Sequence, residues 1–285
     1  MASTKWNFGF FPDVFTGFET SRVIVLPVPF DQTSTWIRGA DKGPAAIVES
    51  SINFEWYDIE TGWEPYRIGI HTDRPIDALS NPAAMVEAVH HRIGSHLAAD
   101  KFVVLLGGEH SVSIGSFRAH AEKYPNLTIL QLDAHADLRP DYHNSPLNHA
   151  CAMARAREVA PIVQVGLRSM DIDEKEYLAP DRVFFAHQIV GRTDWMDAAV
   201  EQLTEDVYLT IDLDVFDPSI MPATGTPEPG GLGWYETLAF LRKVAQSRRI
   251  VGFDVVELCP TPGNHAAVYL AARLVYKLLA YIFKP

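Results

Sequence analysis

Short apolar runs alternate with stretches of helical periodicity along most of the chain. The runs are continuous rather than alternating, which is typical of strands buried on both faces of a parallel sheet. Between several runs, apolar residues recur every three to four positions, as expected of helices that cover such a sheet. We predict strands at residues 22–27, 102–106, 127–132, 162–165, 183–185, 207–211 and 250–255.

Two segments carry the clearest helix signals. Pro82 follows Ser80 and Asn81, which can cap a helix N-terminus, and residues 265–283 place apolar side chains on one face. Because no linker, repeat or low-complexity tract divides the sequence, we predict a single domain over residues 1–285. Residues 1–20 form an aromatic-rich N-terminal arm, which packs either on its own domain or on a neighbouring subunit.

Composition narrows the class of protein. Hydrophobic residues make up 47% of the 285 residues, enough for a globular core. The net charge of -12, without any Lys/Arg run, argues against nucleic acid and favours cationic partners. The two cysteines, Cys151 and Cys259, fit a reducing compartment, and Arg273 and Lys277 interrupt the most apolar helix. We therefore expect a cytoplasmic protein with no nucleic-acid or membrane partner.

Imidazoles and carboxylates follow four of the predicted strands. Ligands bind beyond the carboxyl ends of the strands in an open parallel sheet, so these side chains are expected at one edge. They are His110, then Asp133, His135 and Asp137, then Asp212 and Asp214, and finally Glu257.

In an extended chain, side chains at every second position point in the same direction. If the chain stays extended beyond these strands, the side chains of each cluster therefore lie on one side of it. Four carboxylates converging without partners in a cleft would repel one another and lose hydration. Two divalent cations remove that cost, and mixed nitrogen and oxygen donors suit Mn²⁺, with Co²⁺, Ni²⁺ or Zn²⁺ as alternatives. Capping of turns is the competing interpretation, and we prefer it for Asp217, which precedes Pro218.

These clusters resemble signature segments of the ureohydrolases, the arginase/agmatinase family. The matching segments are 107–111 (GGEHS), 133–137 (DAHAD), 212–218 (DLDVFDP), 225–231 (GTPEPGG) and 254–257 (DVVE), and residues 39–47 (GADKGPAAI) resemble the family's N-terminal loop. The resemblance spans nearly the whole chain. It implies a three-layer α/β/α sandwich around an eight-stranded parallel sheet, two Mn²⁺ ions per chain and a homo-oligomer, trimer or hexamer.

The resemblance also implies a role for each residue. One metal would be held by His110 and Asp137, the other by His135 and Asp214, with Asp133 and Asp212 bridging both. Asp137 would pass a proton to the leaving amine, Glu257 would bind the substrate guanidinium, and His149 would transfer protons at the entrance.

Residues beyond the first cluster favour agmatinase within this family, with agmatine and water giving putrescine and urea. Arginases carry an asparagine where this chain has Arg139. The loop of Asn144, Ser145 and Asn148 is more similar to that of agmatinases, and Asp171 matches an acidic family position near the distal amine. The resemblance therefore makes Asn144 and Asp171 candidate substrate-binding residues. An exposed Arg139 would instead favour a carboxylate tail, so guanidinobutyrase and arginase remain alternatives. A zinc deacetylase-like hydrolase and a metal-binding protein without turnover are the alternatives from other classes.

Overall fold

The computed structural model describes residues 6–77 and 79–284, and within them eight parallel strands form one sheet. In chain order β1 to β8 are Val23–Val28, Ile70–Thr72, Phe102–Gly107, Leu127–Leu132, Ile162–Leu167, Val183–Phe185, Asp206–Asp212 and Arg249–Val256. Their order across the sheet is β2-β1-β3-β8-β7-β4-β5-β6, and every neighbouring pair is parallel. The predicted eight-stranded α/β fold is confirmed.

The sequence pattern missed β2. This strand has three residues and pairs only with β1 at the edge of the sheet. The equally short β6 is a continuous apolar run, VFF, and is predicted, whereas the sequence of β2, IHT, is interrupted by His71 and gives no apolar run.

Helices cover both faces of the sheet. In chain order α1 to α8 are Gly43–Ser51, Pro82–Ala98, Ser113–Lys123, Ala152–Ala156, Ala186–Ile189, Trp195–Glu201, Trp234–Ser247 and His265–Phe283. Neighbouring β1 residues point into different apolar clusters: Val25 packs with α1 and α8 on one face, and Leu26 with α2 and α3 on the other. The side chain of Asn81 accepts a hydrogen bond from the Ala84 N–H, as its predicted capping role requires.

The described part of the N-terminal arm packs on its own domain. Phe8 and Phe11 are buried in the main core, and the Phe11 ring stacks on Tyr66 with centroids 5.2 Å apart. Residues 1–5 of the predicted arm lie outside the described residues.

The C-terminal helix α8 is long and apolar enough to cross a membrane by length and composition, despite its charges. Half of its most apolar window is buried inside the domain, and the Lys277 ammonium lies 2.8 Å from an Asp58 oxygen. Packing against the sheet therefore accounts for the apolar character of this helix.

Candidate metal centre

The carboxyl ends of β3, β4 and β7 bring the predicted ligands together. Two overlapping groups form there, one of His110, Asp133 and Asp212 and one of Asp133, His135 and Asp214. Within each group, one ligand atom from every residue lies within 4.8 Å of the others. Asp133 belongs to both groups, which is the arrangement that a carboxylate bridging two cations needs.

His110 lies in the more buried half of the centre. Its Nδ1 atom is 3.0 Å from Asp137 Oδ2, 3.2 Å from Asp133 Oδ2 and 3.5 Å from Asp212 Oδ2. None of these contacts has hydrogen-bond geometry, so within the described residues this buried nitrogen has no hydrogen-bond partner. An imidazole nitrogen that faces three carboxylate oxygens in this way fits a cation between them.

His135 forms the more open half. Its Nδ1 atom is 2.9 Å from Asp214 Oδ2 and 3.7 Å from Asp133 Oδ1, and its side chain is 24% exposed. Substrate and solvent can therefore approach the centre from this side.

Backbone amides hold three of the carboxylates in place. Asp133 Oδ1 accepts from the His135 N–H at 2.6 Å, Asp214 Oδ1 from the Ala134 N–H at 3.0 Å, and Asp212 Oδ1 from the Asp214 N–H at 2.9 Å. In each case the second oxygen faces a histidine. One oxygen of each of these three carboxylates is thus anchored by a backbone amide, and the other faces the histidines of the centre.

The expectation that residues 133–137 and 212–214 run extended is wrong. Strand β4 ends at Leu132, Asp137 has a left-handed φ of 53°, and residues 213–215 form a 3-10 turn. The aspartate-to-amide hydrogen bonds curl the chain just beyond each strand. Tight turns, rather than strand alternation, therefore aim these side chains at one point.

The electrostatics of the centre favour bound metal ions. Burial and the nearby Asp214 raise the pKa of Asp133 to about 7, and burial with the same neighbour raises the pKa of Asp212 well above its usual range. Four carboxylates and two imidazoles at a largely buried edge form a donor set that fits two divalent cations.

Glu257 and His149 flank the centre. Glu257 Oε1 accepts a hydrogen bond from the His110 N–H at 2.7 Å. On its other side, a Cβ atom placed on Gly225 would lie 3.9 Å from Glu257 Oε2. The His149 N–H donates to Thr33 Oγ1 at 3.0 Å, and His149 Nδ1 lies 3.2 Å from the same hydroxyl oxygen. Thr33 therefore contacts His149 both at its backbone N–H and at Nδ1 of its ring.

A cavity of about 270 Å³ opens onto these residues. Its wall includes Asp137, His149 and Glu257 near the centre, and Arg139 and Asp171 at the outer rim. The cavity lies at the carboxyl ends of the strands, where small molecules bind in open parallel sheets, and its volume is just below the usual range of such sites.

At the rim, Arg139 is paired with acidic side chains. Its guanidinium lies 3.2 Å from Asp171 Oδ2 and 4.0 Å from Glu174 Oε2, and 4.7 Å above the Tyr142 ring. Asp171 caps a 3-10 turn over Ile172–Tyr177 in addition to this pairing. Asn144 is exposed with a φ of 60°, and it is not among the described residues that line the cavity.

Sequence reasoning missed the polar residues that support the ligands. Gln131 Nε2 donates to Asp133 Oδ2 at 2.7 Å, and Thr210 lies 2.9 Å from His110 Nε2. Each stands two residues before a predicted ligand, near the carboxyl end of its strand. A polar side chain at that spacing, inside an otherwise apolar strand, is the signal that could have found them.

Known proteins match this chain over most of its length. The model of the Arginase family matches residues 21–280. An N(1)-aminopropylagmatine ureohydrolase of Synechocystis sp. is 37% identical over 280 residues, covering 94% of this chain and 92% of that protein. A Thermus thermophilus protein of the same name is 40% identical over 268 residues, covering 92% and 90%. The solved agmatine ureohydrolase of Thermoplasma volcanium superposes with a TM-score of 0.85 at 29% identity, covering 95% of this chain and 93% of that one.

Proposed function

The chain belongs to the arginase family, as a ureohydrolase, and we propose that it hydrolyses a guanidine with an amine-terminated tail. Urea is one product, and the other is the amine that carried the guanidine group. Two Mn²⁺ ions are the proposed cofactor, held by the six histidine and aspartate ligands.

The pairing of Arg139 is the observation that carries the proposal. A free guanidinium at the rim would repel an amine tail and attract a carboxylate tail. Here Asp171 and Glu174 surround that guanidinium, and the Tyr142 ring lies against it. The rim therefore brings two carboxyl groups to one cation, which favours a positively charged tail over a carboxylate.

The named relatives and the cavity also bear on the length of the substrate's tail. The relatives at 37% and 40% identity are named for N(1)-aminopropylagmatine, and the solved neighbour for agmatine. The cavity opens past Trp36, whose surface is 70% exposed, and Met170, which is 39% exposed, so a longer tail can extend outward. We rank N(1)-aminopropylagmatine first, giving spermidine and urea, and agmatine second, giving putrescine and urea.

The chemistry follows from the residues around the cavity. A guanidinium carbon is a weak electrophile because resonance spreads its charge, so attack needs hydroxide, which two bound divalent metals supply near neutral pH. Glu257 would orient the planar guanidinium through charge-assisted hydrogen bonds. Asp137 would carry the proton of the nucleophile to the leaving nitrogen, and His149 would exchange protons with solvent through Nε2.

Urea release should be compared across four guanidines with the Mn²⁺-loaded protein. We expect kcat/KM for N(1)-aminopropylagmatine and agmatine to exceed that for arginine and 4-guanidinobutyrate by tenfold or more, on the order of one ion-pair energy. A clear preference for arginine or 4-guanidinobutyrate would contradict the proposal. Metal analysis separates the other classes, because about two Mn per chain are expected here, whereas one Zn per chain would favour a deacetylase-like hydrolase.

A further inference from the structure

A chain of buried hydrogen bonds runs beneath His110, on the side of the ring away from the carboxylates. His110 Nε2 lies 2.9 Å from Thr210 Oγ1, and Thr210 Oγ1 donates to Asp254 Oδ1 at 2.7 Å. The Tyr208 hydroxyl donates to Asp254 Oδ2 at 2.8 Å. Each of these four residues is at most 1% exposed. Asp254 is thus a fully buried carboxyl group that belongs to neither ligand group.

Strand register builds this chain. Tyr208, Thr210 and Asp212 alternate along β7, so their side chains share one face of the strand. The pairing of β7 with β8 sets Thr210 directly opposite Asp254. The polar chain therefore continues from a predicted metal ligand into the middle of the sheet.

Both oxygens of Asp254 accept hydrogen bonds from hydroxyl groups, and with this carboxyl group ionised the donor and acceptor counts leave one arrangement of protons. A carboxylate only accepts, and a threonine hydroxyl has a single proton to give. Thr210 gives its proton to Asp254, so its oxygen must accept from His110 Nε2–H. Ser116 Oγ likewise donates to the Tyr208 hydroxyl at 2.7 Å, so the donors on both sides point toward Asp254.

We propose that Asp254 is a positioning residue for the metal centre, acting through Thr210 to hold His110 with its proton on Nε2. The unprotonated Nδ1 then faces the carboxylate cluster, ready to bind a cation. Outer-shell partners of this kind fix the tautomer and orientation of a ligating histidine. The inference rests on the metal centre of the proposed function but not on its guanidine substrate.

Binding of Mn²⁺ alone, measured by competition with a chelator, tests the proposal without substrate. Thr210→Val removes the hydroxyl while keeping the side-chain shape, and Asp254→Asn removes the charge. We expect each to weaken the binding of at least one Mn²⁺ by 10- to 100-fold, the usual effect of losing an outer-shell partner. Because urea release is not measured, a wrong substrate assignment would leave this result unchanged.

Two control variants separate positioning from packing. Thr210→Ser keeps the hydroxyl and should bind Mn²⁺ within about threefold of the parent. Tyr208→Phe removes the other hydrogen bond to Asp254 and leaves the link to His110 intact, so it should also stay within about threefold. If Tyr208→Phe weakens binding as much as Thr210→Val, or if Thr210→Val binds like the parent, the proposal is overturned.

The tautomer can be observed directly. With Zn²⁺ as a diamagnetic probe and ¹⁵N-labelled histidine, NMR should show a slowly exchanging proton on Nε2 of His110, and Thr210→Val should speed its exchange. A proton on Nδ1 in the parent protein would contradict the proposal.

Discussion

The metal centre and the cavity rim hold their charges in different ways. In the centre, backbone amides fix one oxygen of Asp133, Asp212 and Asp214, and none of the three residues is more than 4% exposed. At the rim, the side chains of Arg139 and Asp171 meet each other directly and are 32% and 39% exposed. The anchored carboxylates of the centre can enforce one geometry for the chemistry. The exposed ion pairs of the rim contribute little to stability, so they can be substituted without unfolding the protein and are suited to selecting the substrate.

The largest effect is expected at the carboxylate that both ligand groups share. Asp133→Asn keeps the shape but removes the charge between two cations, so metal content and activity should fall together. Two metals contribute several kcal/mol of transition-state stabilisation, which corresponds to a loss of about a thousandfold in kcat. Elemental analysis and urea release measure the two quantities.

Asp206→Asn is the matched control, because it removes a carboxylate from the opposite end of β7, where Asp206 pairs with Arg249. It should leave the metal content unchanged. Full metal occupancy in Asp133→Asn would show that the anchored geometry does not depend on this charge.

The next largest effect is expected in the pH dependence of stability, at a buried histidine that packs against the sheet. Burial lowers the pKa of His120 to about 4 from an ordinary 6.5, because the enclosed ring loses the hydration that its charged form needs. The nearby Lys123 ammonium also lowers this pKa, and the hydrogen bond between Nδ1 and the Ser116 carbonyl offsets only part of the effect. The unfolded chain therefore binds this proton more readily than the folded one. Stability from His120 is complete above pH 6.5 and falls by up to about 3 kcal/mol as the pH drops toward 4.

Urea unfolding of the apoprotein at pH 7 and pH 4.5 should show this loss in the parent and a smaller loss in His120→Gln. The exposed helix residue His91 provides the control, since His91→Gln should behave like the parent. Equal losses in the parent and His120→Gln would remove this histidine as the cause.

At the boundary between the two regions, His149→Ala should keep both metals and slow turnover by about a hundredfold, the low end of general acid–base effects. The pKa of His149 is lowered by burial, so the ring is neutral near pH 7 and can accept a proton. His143→Ala, an exposed histidine of the same loop, is the control. Loss of metal from His149→Ala would place this residue with the anchored centre instead.

The smallest effect is expected at the rim. Arg139→Gln leaves Asp171 and Glu174 without their cation, so kcat/KM for amine-tailed guanidines should rise or hold, and that for 4-guanidinobutyrate should fall. Exposed ion pairs contribute at most about 1 kcal/mol, or roughly fivefold. Arg192→Gln, at an exposed ion pair with Asp194, gives the baseline. A rise in guanidinobutyrate activity would contradict the electrostatic account of the rim, because loss of a cation should not favour a carboxylate tail.

The ligands were predictable because each group is local in sequence. Polar residues directly after an apolar run must lie at the carboxyl end of that strand, and parallel strands bring those ends to one edge. The predicted strand 127–132 and the predicted helix 265–283 have the same bounds as β4 and α8. Polar residues at both ends of each apolar pattern leave few other positions for the element to begin and end.

Tertiary structure alone decided how these local groups meet. Strand order places β8 between β3 and β7, although about 140 residues separate β3 from β8, and that order creates the contact between Thr210 and Asp254. Tertiary packing also brings Arg139 to both Asp171 and Glu174, whose two carboxyl groups outweigh the single positive charge that Arg139 by itself would give the rim. Local patterns report which face or end of an element a residue occupies, but such pairings depend on which elements pack together over long separations.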